Sequence, residues 1–286
     1  RIRVENELAV AIDKQQLVAH YQPIVDLGSR HLVGVEALMR WRHPTRGLVM
    51  PGEFIPLAEE TGQIVAMTRW MLDRACRDLV RIQRSIPQGA GVRLSVNVSS
   101  RYLNHGNVAG DVRAALTAHQ VQPDNLILEV TESLLLENSA QLEQTFKELK
   151  MIGVRLALDD FGTGYSSLSY LHRFPIDILK IDRSFVERLV RERDGIEGVD
   201  AVALARAILS LAEALGLDTV AEGIELEAQR ETLLGLGCRT GQGFVFGKPM
   251  PIDEVLDAAV TRRRSLLAGN IAAPVDFSPT GRFRGI

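Results

Sequence analysis

The chain lacks three features that would narrow its function at once: a set of cysteines, an excess of positive charge and a long uninterrupted hydrophobic run. Its two cysteines, Cys76 and Cys238, form neither a disulfide framework nor a metal-ligand spacing, so we expect two reduced thiols. The net charge of −3 gives no general attraction to nucleic acid polymers or membranes. The longest apolar stretch, 201–217, is interrupted by Arg206 and Glu213, which predicts a buried or amphipathic helix and not a membrane span.

The length and composition are those of a globular protein. With 286 residues, 46% of them hydrophobic and 24% charged, the chain suits one (β/α)₈ barrel or two smaller domains. Because it begins with Arg1, we expect a piece of a longer protein, with 1–16 as a linker helix. Residues 17–264 would form the barrel domain, and the aperiodic segment 265–286 a partly disordered tail. We expect a cytoplasmic location for this part, which leaves open a membrane anchor elsewhere in the longer protein.

The order of strands and helices predicts the fold class. Two strands near 20–27 and 32–40 are joined by a hairpin-length link, so they should pair antiparallel. One long helix over 53–84 follows, and a charged segment at 191–200 reads as an exposed loop. Further strands are predicted near 93–98, 126–131, 155–160, 177–182, 218–222 and 241–244, with helices such as 139–152, 202–215 and 252–264. Alternation of this kind indicates a parallel sheet, and a reversed first strand favours a closed α/β barrel, a modified TIM (β/α)₈ fold, over an open doubly wound sheet.

Polar side chains recur where these strands end. They are Glu36, Asn97, Glu129, Asp159, Asp160, Lys180, Asp182, Glu222 and Gln242. A parallel (β/α) barrel builds its active site at the carboxyl ends of its strands. Two carboxylates about 4 Å apart repel by roughly 4 kcal/mol at an effective dielectric near 20. Several in one mouth therefore imply bound cations or raised pKa values.

Individual positions keep structural alternatives. Strand period two puts Glu36 and Arg40 on one face, where they could serve a metal and a phosphate, or form an ion pair at an exposed edge. The adjacent pair Asp159 and Asp160 suits a two-metal site, or one of them caps a helix. Lys180 shares a strand face with Asp182, and a buried lysine needs an acidic partner, either that aspartate or a metal-bound group.

Three further patterns are weaker. The side-chain amide of Asn97 lies inside a β-branched strand, where it could equally form a hydrogen bond in the core or bind a metal. Parity sends Glu129 and Glu132 to different faces, so they should have different roles. The glycines at 162–164 match neither GxGxxG nor GxxxxGK[ST] and give no phosphate-binding signature.

Nine short motifs occur in an order that resembles the EAL-domain cyclic-di-GMP phosphodiesterases. They are YQPI at 21–24, EALMRW at 36–41, FIPLAE at 54–59, NVS at 97–99, EVTE at 129–132, DDFGTG at 159–164, KID at 180–182, EGIE at 222–225 and GQGF at 241–244. EAL alone carries little information, but nine motifs in register over roughly 17–260 are specific.

The resemblance implies a TIM barrel with a reversed first strand and hydrolysis of cyclic di-GMP to linear pGpG by two Mg²⁺ or Mn²⁺ ions. Its implied metal ligands are Glu36, Asn97, Glu129 and Asp159 for one ion, and Asp159, Asp160 and Glu222 for the other. Its implied catalytic residues are Lys180, which orients the attacking water, with Glu222, Asp182 and Gln242. Its implied substrate-binding residues are Arg40, on a phosphate, with Leu38 and Gln22. Glu132 would stabilise the loop 160–167, and Glu225 would lie in an outer shell.

The main alternative is a catalytically weak or inactive receptor that binds cyclic di-GMP and signals through protein contacts. Such relatives usually lack some acidic ligands, and here none is replaced. A purely protein-binding domain and a different metal-dependent barrel hydrolase are more remote. Hard oxygen ligands favour Mg²⁺ or Mn²⁺, and we predict that Ca²⁺ inhibits. We further expect a homodimer through the helices flanking the sixth strand (201–215), regulatory or sensor domains in the longer protein, and no contact with DNA, RNA or membrane.

Overall fold

The computed structural model describes residues 2–86, 89–135, 139–162, 173–191 and 196–258. Its strands are β1 (Leu17–Asp26), β2 (Leu32–His43), β3 (Gly47–Val49), β4 (Arg93–Asn97), β5 (Leu126–Thr131), β6 (Arg155–Phe161), β7 (Ile178–Ile181), β8 (Asp218–Ala221) and β9 (Thr240–Gln242). Its helices are α1 (Ile2–Ala9), α2 (Pro51–Thr61), α3 (Ile64–Ser85), α4 (Ser100–His105), α5 (Val108–His119), α6 (Glu132–Leu135), α7 (Ala140–Ile152), α8 (Arg183–Arg191), α9 (Ile196–Leu215), α10 (Glu227–Gly235) and α11 (252–258).

Within these residues, eight strands close into a barrel in the order β1-β2-β4-β5-β6-β7-β8-β9, and β9 returns to β1. β1 is antiparallel to both of its neighbours, whereas β2, β4 and the strands up to β9 run parallel. β3 only extends β2 at its end. The predicted modified TIM barrel with a reversed first strand is therefore confirmed.

The barrel interior is layered. An apolar ring occupies its middle, formed by Ile24, Ile127, Ala157, Ile178 and Val220. Each of these apolar residues has a polar residue two positions away on the same strand face. The polar residues are Gln22, Glu129, Asp159, Lys180 and Glu222. In the parallel strands the polar residue follows the apolar one, whereas in the reversed β1 it precedes it. The reversal thus brings Gln22 to the same rim as the other polar residues.

The outer faces of the strands pack against the helices and form the main core. α3 belongs to it because its apolar residues recur at helical spacing, with Met71, Ala75 and Leu79 buried in this core. The helix is also tied to the barrel by a buried hydrogen bond, in which the Tyr21 hydroxyl donates to Asp78 at 2.8 Å. Burial and this carboxylate raise the pKa of Tyr21 well above its usual value.

The single helix predicted over 53–84 is wrong: the structure has α2 and α3 with a break between them. Gly62 adopts a left-handed conformation with φ of 78° and donates its backbone N–H to the carbonyl of Glu59. This is the usual ending of a helix at a glycine. The apolar pattern continues across the break, so periodicity alone did not show it.

The loop predicted at 191–200 is also wrong in part, because residues 196–200 already belong to α9. A glycine inside a helix costs only about 1 kcal/mol relative to alanine, so the glycine at 198 does not prevent helix formation. Residues 192–195, the end of the predicted helix 252–264 and the predicted tail 265–286 lie outside the described residues. None of the helices in the described ranges combines the length and apolar character needed to span a bilayer.

A second, smaller core lies beneath α1 and α2 and includes Leu8, Ala11, Trp41 and Phe54. Gln16 ties the segment after α1 to β2 twice. Its carbonyl accepts the backbone N–H of Arg42 at 2.7 Å, and its side-chain oxygen accepts the indole N–H of Trp41 at 3.1 Å. The segment that enters the barrel is therefore bound to the strand that carries Glu36 and Arg40.

Candidate functional site

A lysine lies at the centre of the polar rim. The Nζ atom of Lys180 is 2.7 Å from carboxylate oxygens of Glu129 and Glu222. Asp159 lies at 3.1 Å and Glu36 at 3.9 Å from the same nitrogen. The side chains of Lys180 and Glu129 are only 2% and 1% exposed. The acidic partners of the buried lysine thus come from other strands and not from Asp182, contrary to the alternative derived from the sequence.

The rim carries more negative than positive charge. One ammonium faces four carboxylates, so the burial of Glu129 and the repulsion from its neighbours raise the pKa of that carboxyl well above its usual value, despite Lys180. Burial likewise raises the pKa of Glu222 to about 8, with Asp159 contributing. Burial by itself would lower the pKa of Lys180, but the carboxylates, Glu129 foremost, outweigh it and raise the pKa. The site therefore favours additional cations.

Two side-chain amides hold Glu36 in place. Asn97 donates from Nδ2 to one carboxylate oxygen at 2.8 Å, and Gln242 donates from Nε2 to the other at 2.7 Å. Gln242 also donates to Glu222 at 2.9 Å. Its own amide oxygen is buried and has no hydrogen-bond partner among the described residues. Such an atom is costly to bury alone, which indicates that a water or ion belongs beside it.

The adjacent aspartates reach the rim through an irregularity in β6. The pairing of β6 with β7 shifts register between Leu158 and Phe161, so two residues face one. Asp160 adopts a left-handed φ of 55°, which is strained for a residue other than glycine. A bulge of this kind re-aims a side chain. Burial, Asp159 and Asp182 raise the pKa of Asp160.

The predicted substrate-binding residues lie on the paired strands β1 and β2. Gln22 pairs in register with Glu36 and donates to the carbonyl of Gly247 at 3.4 Å. Arg40 is buried, with 4% exposure, and donates to the carbonyl of Met39. Burial lowers the pKa of Arg40, and Glu36 partly offsets that effect. Leu38 stands between Glu36 and Arg40 on the same strand face.

The remaining predicted residues make contacts around this centre. The carboxylate of Asp182 accepts the backbone N–H of Ser184 at 2.9 Å, at the start of α8. Glu132 accepts the N–H of Gly162 at 3.0 Å, in the first part of the loop 160–167, most of which lies outside the described residues. Glu225 pairs with Arg183 at 2.9 Å. The functional roles of these three residues stay predictions.

The sequence-based prediction missed one residue on the rim, His20. Its position two residues before Gln22 was the available signal, because period two gives the two residues a common strand face. His20 pairs in register with Leu38 and is half-buried. The structure therefore adds an imidazole to the surface that carries the predicted substrate-binding residues.

The donors present fit divalent cations. Carboxylate and amide oxygens are the ligands that Mg²⁺ and Mn²⁺ prefer, and the excess charge and the unpaired Gln242 oxygen both call for a partner. No group of three or more acidic, histidine or cysteine side chains in the described ranges has the arrangement of a formed metal site, because the carboxylates gather on Lys180. A rearrangement around the ammonium would accompany metal binding.

Comparison with known proteins gives one family. The family model described as EAL domain matches residues 5–249. The bifunctional diguanylate cyclase/cyclic di-GMP phosphodiesterase MucR of Pseudomonas aeruginosa is 44% identical over 257 residues, which is 90% of this chain and 36% of that protein. The chain spans roughly a third of the length of curated relatives that it matches.

Solved structures agree with this match. The PaMucR phosphodiesterase in complex with c-di-GMP superposes with a TM-score of 0.81 at 42% identity, and the match covers 88% of this chain and 99% of that one. The EAL enzyme Bd1971 with cAMP and cyclic di-GMP bound gives a TM-score of 0.84 at 32% identity over 90% of this chain and 68% of that one.

Proposed function

Because the chain belongs to the EAL domain family, we propose that it is a cyclic-guanylate-specific phosphodiesterase that hydrolyses cyclic di-GMP to linear pGpG. The observation that carries this proposal is the rim itself: four carboxylates and two amides gathered around one buried ammonium. The relatives named for cyclic di-GMP hydrolysis, or solved with the dinucleotide bound, support this choice of substrate.

The proposed metal ligands are those present on the rim. Glu36, Asn97, Glu129 and Asp159 would hold one divalent cation, and Asp159, Asp160 and Glu222 a second. Mg²⁺ or Mn²⁺ bound there would neutralise phosphate charge, lower the pKa of water and stabilise the leaving oxygen. The buried amide oxygen of Gln242 supports this proposal because it requires a partner that the described residues do not supply.

The side chains provide the remaining functions. Lys180 keeps its proton, because the carboxylates raise its pKa, and would donate hydrogen bonds that orient the attacking water. The guanidinium of Arg40 would pair with a non-bridging phosphate oxygen, while Gln22 and Leu38 would contact the rest of the dinucleotide. Addition of one water breaks one P–O3′ bond and leaves a 5′-phosphate and a 3′-hydroxyl on the linear product.

The decisive assay incubates the purified chain with cyclic di-GMP in Mg²⁺, Mn²⁺, Ca²⁺ or EDTA and separates the products by chromatography. We expect pGpG with Mg²⁺ and Mn²⁺ and none with EDTA or Ca²⁺. A matched control is Asp253→Asn, since that carboxylate is 77% exposed in an ion pair with Arg81; the variant should retain full activity. Turnover in Ca²⁺ equal to that in Mg²⁺ would refute the proposed site chemistry.

A binding titration with cyclic di-GMP, run beside this assay, decides between an enzyme and a receptor. Binding of cyclic di-GMP without turnover in either metal would identify a catalytically inactive receptor. Neither binding nor turnover would contradict the proposal as a whole.

The proposal extends to the assembly and setting of the protein. We propose a homodimer through α9, on which Leu204 is 46% exposed, regulatory or sensor domains in a longer parent protein, and a cytoplasmic location. Analytical ultracentrifugation tests the dimer: a purely monomeric chain at micromolar concentration would contradict it.

A further inference from the structure

His20 has a place on the substrate-facing surface that the proposed function does not use. In the pairing of β1 with β2, Gln22 faces Glu36, His20 faces Leu38 and Val18 faces Arg40. The polar members of this set share one side of the hairpin, because strand period two gives residues 18, 20 and 22 a common face. His20 is therefore surrounded by the residues proposed to contact the dinucleotide.

The surroundings of the imidazole define its hydrogen-bonding character. The backbone carbonyl of Pro249 and two guanidinium groups, Arg40 and Arg42, lie close enough to the ring to influence its charge. Burial and these two charges lower the pKa of His20, and the Pro249 carbonyl only partly offsets them. A neutral imidazole has one N–H donor and one acceptor nitrogen. Such a ring on a half-buried surface offers an acceptor nitrogen.

We propose, on the basis of the proposed function, that His20 is a substrate-binding residue whose ring nitrogen accepts a hydrogen bond from a donor of the bound cyclic dinucleotide. Guanine offers such donors at N1–H and at its exocyclic amino group, and the ribose offers its 2′-hydroxyl. Acceptors of the dinucleotide are matched instead by Arg40 and Arg42, which have donors only. The histidine thus adds a neutral acceptor beside the donor-only guanidinium groups.

The test compares three variants by their dissociation constants for cyclic di-GMP, measured by isothermal titration calorimetry in EDTA. His20→Phe keeps the ring size and removes both nitrogens, and we expect about a tenfold loss of affinity, typical of one lost hydrogen bond to a buried partner. His20→Gln and His20→Asn each restore an acceptor, and one of them should recover most of the affinity. His31→Phe, in the hairpin turn away from the rim, is the control and should bind like the wild type.

Two further measurements separate substrate binding from bracing of the loop at Pro249. Steady-state kinetics in Mg²⁺ should show a raised KM with kcat within about threefold of the wild type, since uniform binding is lost. The melting temperature and the Mn²⁺ dissociation constant of His20→Phe should equal those of the wild type. A parallel loss of melting temperature and affinity without rescue by Gln or Asn would assign His20 to loop bracing and overturn the proposal.

Substrate analogues identify the donor. The inosine analogue of the dinucleotide lacks the exocyclic amino group, and the 2′-deoxy analogue lacks the hydroxyl. If the affinity penalty of one analogue disappears in His20→Phe, the group that this analogue lacks is the donor to His20. If both penalties persist, the donor is N1–H.

Failure of this proposal is distinct from failure of the proposed function. Wild-type affinity in His20→Phe overturns the role of His20 alone. Absence of cyclic di-GMP binding by the wild type overturns the function on which it rests.

Discussion

Replacing Lys180 by methionine tests whether this one ammonium holds the metal-free rim together. Methionine keeps the length and the apolar stem of lysine and removes the charge. The ammonium lies 2.7 Å from both Glu129 and Glu222, and each contact corresponds to roughly 6 kcal/mol of Coulomb attraction at an effective dielectric near 20. Desolvation offsets much of this attraction. Removing one partner of a buried charge cluster therefore costs about 3–5 kcal/mol.

The assay is thermal unfolding in EDTA. A loss of about 3–5 kcal/mol in a domain of this size lowers the melting temperature by roughly 6–15 °C. The matched control is Lys150→Met. Lys150 contacts Asp177 at the same 2.7 Å, but both side chains are about 30% exposed. Such a pair contributes at most about 1 kcal/mol, so the control should melt within roughly 3 °C of the wild type.

The pH dependence of the stability of Lys180→Met gives a second test. The pKa values of Glu129 and Glu222 are raised even with the ammonium present, so in its absence they should lie further above those of the unfolded chain. Protonated carboxyls are tolerated at low pH, so stability is lost as the pH rises from the unfolded pKa through the raised folded pKa. The difference from the wild type should be larger at pH 8 than at pH 5. Equal melting temperatures of variant and wild type at pH 8 in EDTA would refute the reasoning.

Three other substitutions test separate parts of the account. Glu36→Gln should reduce turnover by at least about 10³-fold, because a proposed metal ligand is lost, while the melting temperature stays near that of the wild type. Arg40→Ala should raise KM by about 10- to 100-fold through loss of a charge-assisted hydrogen bond, with Mn²⁺ affinity unchanged by titration. Gly243→Ala should unfold at least about 3 kcal/mol more easily, because the added Cβ would lie 2.1 Å from the carbonyl oxygen of Ile224. Gly235→Ala is its control; the new Cβ meets nothing within 4 Å, and helix propensity should stabilise the chain by about 0.5–1 kcal/mol.

For each of these three substitutions, one experimental result would contradict the expectation. Turnover near the wild-type rate in Glu36→Gln would contradict the ligand assignment. Equal losses of Mn²⁺ and substrate affinity in Arg40→Ala would show that the arginine supports the metal site and not the phosphate. Chemical denaturation that places Gly243→Ala at or above wild-type stability would contradict the close approach of the two backbone segments.

The sequence predicted the barrel and the composition of the rim because both depend on local signals. A hairpin-length link fixes the reversed first strand, and period two fixes which residues share a face. The same rules placed Glu36 with Arg40 and Glu129 apart from Glu132. These signals need no knowledge of distant contacts.

What the sequence did not predict depends on tertiary context. The partners of Lys180 come from β2, β5, β6 and the end of β8, so a search along its own strand led to Asp182. The bulge at Asp160 requires the register of the neighbouring strand, and the helix break at Gly62 requires a left-handed φ that glycine permits but does not demand. His20 was passed over because no motif marked it.

The antiparallel β1 changes where the chain enters the barrel. In a barrel of uniformly parallel strands the first strand starts at the end opposite the catalytic face. Here it starts beside that face, and Gln16 binds Trp41 and the backbone of Arg42, the two residues that follow Arg40. A movement of the segment ahead of β1 that breaks one of these hydrogen bonds would therefore act on the strand next to Arg40. No other part of the molecule would have to transmit it.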